Sequence, residues 1–127
     1  MKILLDTHVI LWIAENSPKL SEELRNIISD KNNIKCVSIV SAWEIAIKLG
    51  REDFSFDGGI NEFFRIIKHN KLRMLPIRGE YLRHIPDLPK IHKDPFDRML
   101  IATALTEDMT LMTVDENIHK YDVKWVW

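Results

Sequence analysis

Five short runs of strand-forming character, Lys2–Leu5, Ile34–Val37, Leu72–Leu75, Thr110–Thr113 and Val123–Val126, recur between longer stretches of helical periodicity. Such alternation is the pattern of a parallel sheet with helices on both faces, because parallel neighbours need a long crossover and helices then bury both sides of the sheet. Leu20–Asp30 is one expected helix. Ser21 can cap it, Glu22 and Glu23 suit the positive end of its dipole, and Leu24, Ile27 and Ile28 fall on one face. Ser41–Leu49 ends at Gly50, Asn61–Lys68 carries Phe63, Phe64, Ile66 and Ile67, and a weaker pattern covers Glu80–Ile85. The loop Pro86–Lys93 follows, and the best-marked helix starts at Pro95.

The chain has 127 residues, 46% hydrophobic and 29% charged, which predicts one domain, 1–127, with a sufficient core of its own. A lone cysteine, Cys36, within an apolar run excludes an internal disulfide and reads as a buried thiol in a reducing cytoplasm. Asp6 interrupts the first apolar run before a signal-peptide core could form, and no later run approaches membrane-helix length, so neither secretion nor membrane insertion is expected. The net charge of -1 argues against a protein that coats nucleic acid with a basic surface. Arg65–Arg98 nevertheless holds nine Lys/Arg against four acids, so one stretch could face phosphate.

Asp6 ends the first strand and Asp115 lies just past the fourth. Ligand sites of open parallel sheets lie off the carboxyl ends of the strands, where acids from distant positions can converge. Either could instead be a turn aspartate. Glu44 sits three residues after Ser41, as in a capping box. Against that, Trp43, Ile45, Ala46 and Ile47 would surround its charge with apolar groups unless a cation met it. In Asp94-Pro95-Phe96-Asp97, Asp94 reads as the helix cap and Asp97 as a first-turn acid at the rim of the sheet. Gathered carboxylates repel one another, and divalent cations relieve the repulsion. All-oxygen ligands favour Mg2+ or Mn2+ over zinc, and the chemistry such ions serve is phosphodiester hydrolysis.

No Gly-rich phosphate loop, His-Glu-x-x-His, Cys-x-x-Cys or nucleophile elbow is present. The five histidines show no zinc-ligand spacing and read as surface or loop residues, with His8 and His92 adjoining acidic segments. Trp12 and Trp43 read as core, and Trp125 and Trp127 as two residues on one face of the last strand.

Together, Leu4-Leu5-Asp6-Thr7-His8, Ser41-Ala42-Trp43-Glu44-Ile45, the run His92–Ala102 and Thr113-Val114-Asp115 resemble the PIN domain, specifically its VapC-like toxin ribonucleases. The resemblance spans nearly the whole chain. It implies a three-layer α/β/α fold with a mostly parallel five-stranded sheet, and a metal-binding quartet of Asp6, Glu44, Asp97 and Asp115 with Thr7, Asp94 and Thr113 as polar neighbours. It also implies an endoribonuclease dependent on Mg2+ or Mn2+, a homodimer, and silencing by a VapB-like antitoxin that binds DNA at one end and covers the nuclease site with the other. For the RNA, the basic stretch offers Lys90, Lys93 and Arg98, which flank the Asp94–Asp97 turn. Two other readings compete. A receiver-like signalling domain would need an aspartate after the third strand, where Pro76-Ile77-Arg78 stands instead. A non-catalytic binding module would make every acid a cap or a turn residue, and such caps need no Mn2+.

Overall fold

Residues 3 to 5 are fully buried, and the fold is built around them. In a computed structural model describing residues 1–127, strand β1 (Lys2–Leu5) lies at the centre of a five-stranded sheet. Strands β2 (Ile34–Ser38), β3 (Arg73–Leu75), β4 (Thr110–Met112) and β5 (Trp125–Val126) complete it in the order β3-β2-β1-β4-β5, every pair parallel. The chain moves from β1 to β2 and β3 on one side, then crosses to β4 and β5 on the other. The order therefore reverses at β1, leaving a crevice off the carboxyl ends of β1 and β4.

Alternation along the strands divides the core. Ile3, Leu5, Val37 and Met112 face one side, where they pack on α1 (Thr7–Ala14), α2 (Glu22–Ser29), α3 (Ile39–Leu49) and α4 (Gly59–His69). Leu4, Cys36 and Leu111 face the other, against Leu100, Ile101 and Ala104 of α6 (Pro95–Glu107) and Ile118 of α7 (Glu116–His119). The result is the three-layer α/β/α architecture. No helix is long and apolar enough to cross a membrane.

Local chemistry sets the helix ends. Ser21 accepts the Leu24 N–H and Asp94 accepts the Phe96 N–H, as their positions in the sequence require. At the start of α4, Gly58 takes φ of 85°, and a Cβ there would lie 2.6 Å from Glu62 Cβ. Three departures from the expected elements stand out. Helix α1 follows β1 directly, although Val9-Ile10-Leu11-Trp12-Ile13 is too continuously apolar to show a helical stripe. The expected Glu80–Ile85 helix shrinks to α5 (Gly79–Leu82), and a 3-10 turn over Ile85–Asp87 takes up Pro86. Helix α3 begins earlier than expected because the hydroxyl of Ser38, not that of Ser41, accepts the first free N–H, from Val40.

Candidate metal centre

Asp6 is delivered by the end of β1 and is buried. It occupies the N-cap position of α1 yet makes no side-chain capping bond. Its Oδ2 instead accepts the Thr113 hydroxyl at 2.6 Å, from just beyond β4. Burial raises its carboxyl above the usual range against the lowering effect of that bond and of His8, and Glu44 adds to the rise.

Glu44 lies in the middle of α3, so the capping-box account fails: Ser41 is inside the helix, and its hydroxyl meets Thr7 Oγ1 at 2.8 Å. Thr7 Oγ1 is also 2.9 Å from Glu44 Oε1. A carboxylate only accepts, so Thr7 donates to Glu44 and receives the Ser41 proton. The expected apolar surround of Glu44 is corrected too. Trp43 is 57% exposed, with its ring edge-on to Phe96 at 5.2 Å, and Ile47 is also exposed. The cation that meets Glu44 within the chain is Lys48, one helical turn on, with Nζ 3.0 Å from Oε2.

Asp97 is the third residue of α6, held at the rim of the sheet by the Asp94 cap. Burial first, then Asp6, Asp94, Glu44 and Asp115, push its carboxyl up to about 8. Asp115 caps α7 by accepting the Asn117 N–H at 2.8 Å with Oδ1, while its Oδ2 lies 2.8 Å from His92 Nε2. Partial burial opposes its ionisation, but His92 and the N–H groups of Asn117 and Ile118 outweigh that and hold its carboxyl below the usual range.

The site is thus a tight trio with two flanking acids. Ligand atoms of His92, Asp97 and Asp115 lie within 4.8 Å of one another. Asp6 and Glu44 stand outside that trio but close enough for each to raise the Asp97 carboxyl. Oxygen donors from four carboxylates, one of them strained towards its neutral form, suit a hard divalent cation. Asp6, Glu44, Asp97 and Asp115 are the residues that would hold it.

The model of the PIN domain family matches residues 3–124. This chain belongs to the PIN domain family. No curated protein matches its sequence. Among solved structures, the PIN domain here resembles VapBC2 from Rickettsia felis bound to a promoter DNA fragment, with a TM-score of 0.74 at 14% identity, covering 100% of this chain and 99% of that one. VapBC-1 from nontypeable Haemophilus influenzae gives 0.66 at 18% identity, covering 99% and 97%. FitAcB from Neisseria gonorrhoeae gives 0.64 at 19%, covering 98% and 96%.

Other residues of the PIN domain take places that their spacing does not predict. Lys90 and Lys93 are exposed on the loop before α6. Arg98 is half-buried, and its guanidinium donates to the carbonyls of Pro89, Ile85 and Leu88 and to Tyr121 Oη, so it is less free to meet phosphate than the two lysines. His92, expected at the surface or in a loop, lies on the loop before α6 but is only 14% exposed and reaches two of the acids. Its position two residues before Asp94 hints at this, but its bond with Asp115 spans 23 residues and leaves no trace in spacing. Trp125 stacks on His119 at 3.5 Å, whereas Trp127 lies past the end of β5 and packs on Trp12 of α1, so the two do not share a partner.

Proposed function

We propose that this PIN domain is a Mg2+- or Mn2+-dependent endoribonuclease, the toxin of a toxin-antitoxin pair acting in the cytoplasm. The observation that carries the proposal is the gathering of acids at the rim of the sheet: ligand atoms of Asp97, Asp115 and His92 lie within 4.8 Å of one another, and burial together with four neighbouring acids pushes the Asp97 carboxyl up to about 8. Structural carboxylates are placed to be stable as anions, and this one is not. Capping accounts for Asp94 and Asp115 but not for Asp6, which makes no capping bond, nor for Glu44, which lies mid-helix. A module in which every acid is a cap or a turn residue leaves those two unexplained.

Within the site each residue has a task that its contacts suggest. Thr113 and Thr7 fix the carboxylates of Asp6 and Glu44 through single hydrogen bonds, and Lys48 balances Glu44 through its other oxygen. Asp97 must give up its proton for the site to take a cation. Divalent ions bound there supply the Lewis acidity that phosphodiester hydrolysis needs. Lys90 and Lys93 offer exposed positive charge beside the acids for an RNA backbone.

For partners, we assign a VapB-like antitoxin and a second copy of the chain. Solved structures that share the fold include a toxin-antitoxin complex from Klebsiella pneumoniae. Beside the acids, Leu82, Ile85, Pro86, Pro95 and Met99 line a groove of about 430 Å³ with Lys93 at its edge, room for an apolar segment of an antitoxin. Ile39, Trp43 and Ile47 recur one turn apart along α3 and are all exposed, a stripe that a homodimer would cover. The test is cleavage of total RNA by the purified chain: chelation should stop it and added Mn2+ restore it. Co-expression with the neighbouring short reading frame should yield a silent complex. Cleavage that persists after complete chelation would overturn the metal-dependent reading.

A further inference from the structure

His92 is held in place by a clamp that has no other evident purpose. Tyr121 Oη donates to Pro89 O at 2.7 Å and accepts the His92 N–H at 2.8 Å. Arg98 ties down the same loop through the carbonyls of Ile85, Leu88 and Pro89. The loop so fixed carries the His92 ring between Asp97 and Asp115, with Nε2 3.0 Å from Oδ2 of the first and 2.8 Å from Oδ2 of the second.

The other ring nitrogen decides what Nε2 does there. Nδ1 accepts the Asp94 N–H at 3.2 Å, so the proton of the neutral ring sits on Nε2, and Nε2 is a donor. Histidines that ligate metals show the reverse arrangement, with the free nitrogen donating its proton to a carbonyl or carboxylate. To ligate through Nε2, His92 would have to put its proton on Nδ1, facing the Asp94 N–H.

We propose that His92 is a positioning residue that stands in for the cation: its Nε2–H bridges Asp97 and Asp115 in the metal-free protein and yields their oxygens when the metal binds. The proposal rests on the metal site assigned above. Imidazole N–H and cation compete for the same two oxygens, so His92 keeps the acids gathered at the cost of part of the metal affinity. The ring therefore sets the cation concentration at which the site fills.

The test is calorimetric titration of the full chain with Mn2+, alongside long-range proton-nitrogen NMR of the His92 ring in the metal-free protein. The NMR should show the Nε2–H tautomer. His92→Ala should bind Mn2+ about tenfold more tightly than wild type, the factor that goes with removing one hydrogen bond to a charged group. His92→Gln, whose amide can donate to the same oxygens, should stay near wild type. If His92→Ala does not fold, Tyr121→Phe loosens the loop without touching the acids and should tighten binding in the same direction. Weaker or unchanged Mn2+ binding by His92→Ala, or by Tyr121→Phe in its place, would overturn the proposal and, if weaker, make His92 a ligand, with the metal site itself intact. Absence of Mn2+ binding by the wild type would overturn the metal site and this inference together.

Discussion

Thr113 donates its hydroxyl proton to Asp6 across 2.6 Å, joining positions 107 residues apart in the chain. The same oxygen accepts the Asp115 N–H at 3.1 Å, so one threonine orients an acid at the end of β1 and the turn that carries another beyond β4. This pair of bonds ties together the two strand ends that flank the crevice where the strand order reverses.

Thr113→Val keeps the shape and removes the bond. It should cost roughly 1–3 kcal/mol, because a buried carboxylate is deprived of its donor. The Asp6 carboxyl, already raised by burial, should rise further without the lowering effect of the hydroxyl. Chemical denaturation measures the first effect and carbon-detected NMR titration of Asp6 the second. Mn2+ affinity should fall as well.

Asp97 makes the stability of the metal-free protein depend on pH. Its folded value of about 8 exceeds the ordinary value of 3.8, so the folded chain holds a proton that the unfolded chain has released. The resulting stability is fully present below about pH 4 and is lost as pH rises through about 8. With chelator present, thermal stability attributable to this group should therefore decline from mildly acid to mildly alkaline conditions. Asp97→Asn should flatten that decline and stabilise the chelated protein at pH 8 by on the order of 1–3 kcal/mol. Thermal melts across the range check both.

Arg98 and the two lysines should separate cleanly. Replacing Lys90 and Lys93 together with Gln should leave folding unchanged and weaken RNA binding by a metal-free Asp97→Asn background. The log-log salt slope should flatten by about 0.7 to 0.9 for each lysine–phosphate pairing removed. Arg98→Gln should instead destabilise the Leu88–Lys93 loop, seen as faster amide exchange there, because the guanidinium that ties the carbonyls of Ile85, Leu88 and Pro89 together is lost.

Much of this can be read from the sequence, and the exceptions have physical causes. Strands β1, β2 and β4 declare themselves because a buried parallel strand is a short apolar run, as in Ile3-Leu4-Leu5, and the acids just past the ends of β1 and β4 follow from that placement. Helix α1 is hidden because the same apolar continuity that buries it erases its periodicity. The start of α3 is ambiguous in the sequence because both Ser38 and Ser41 are competent caps, and only the end of β2 at Ser38 chooses between them. Lys48 and His92 are different in kind. Lys48 lies at helical spacing from Glu44 and is within reach of a local argument, whereas His92 meets Asp115 only because α6 packs on β4, which sets the loop before α6 beside the turn after β4. Arg98 has the sequence neighbours of a phosphate contact, and only the folded loop reveals that both of its terminal nitrogens bond the loop.

RNA cleavage by Asp97→Asn in saturating Mn2+ decides whether the carboxylates form a catalytic metal site. The substitution keeps the size and shape of the side chain and removes one charge. Cleavage should fall by at least about a hundredfold, or roughly 2.7 kcal/mol of barrier, while circular dichroism and thermal melts show a folded protein no less stable than the wild type. Full Mn2+-dependent cleavage by a well-folded Asp97→Asn protein would contradict the account.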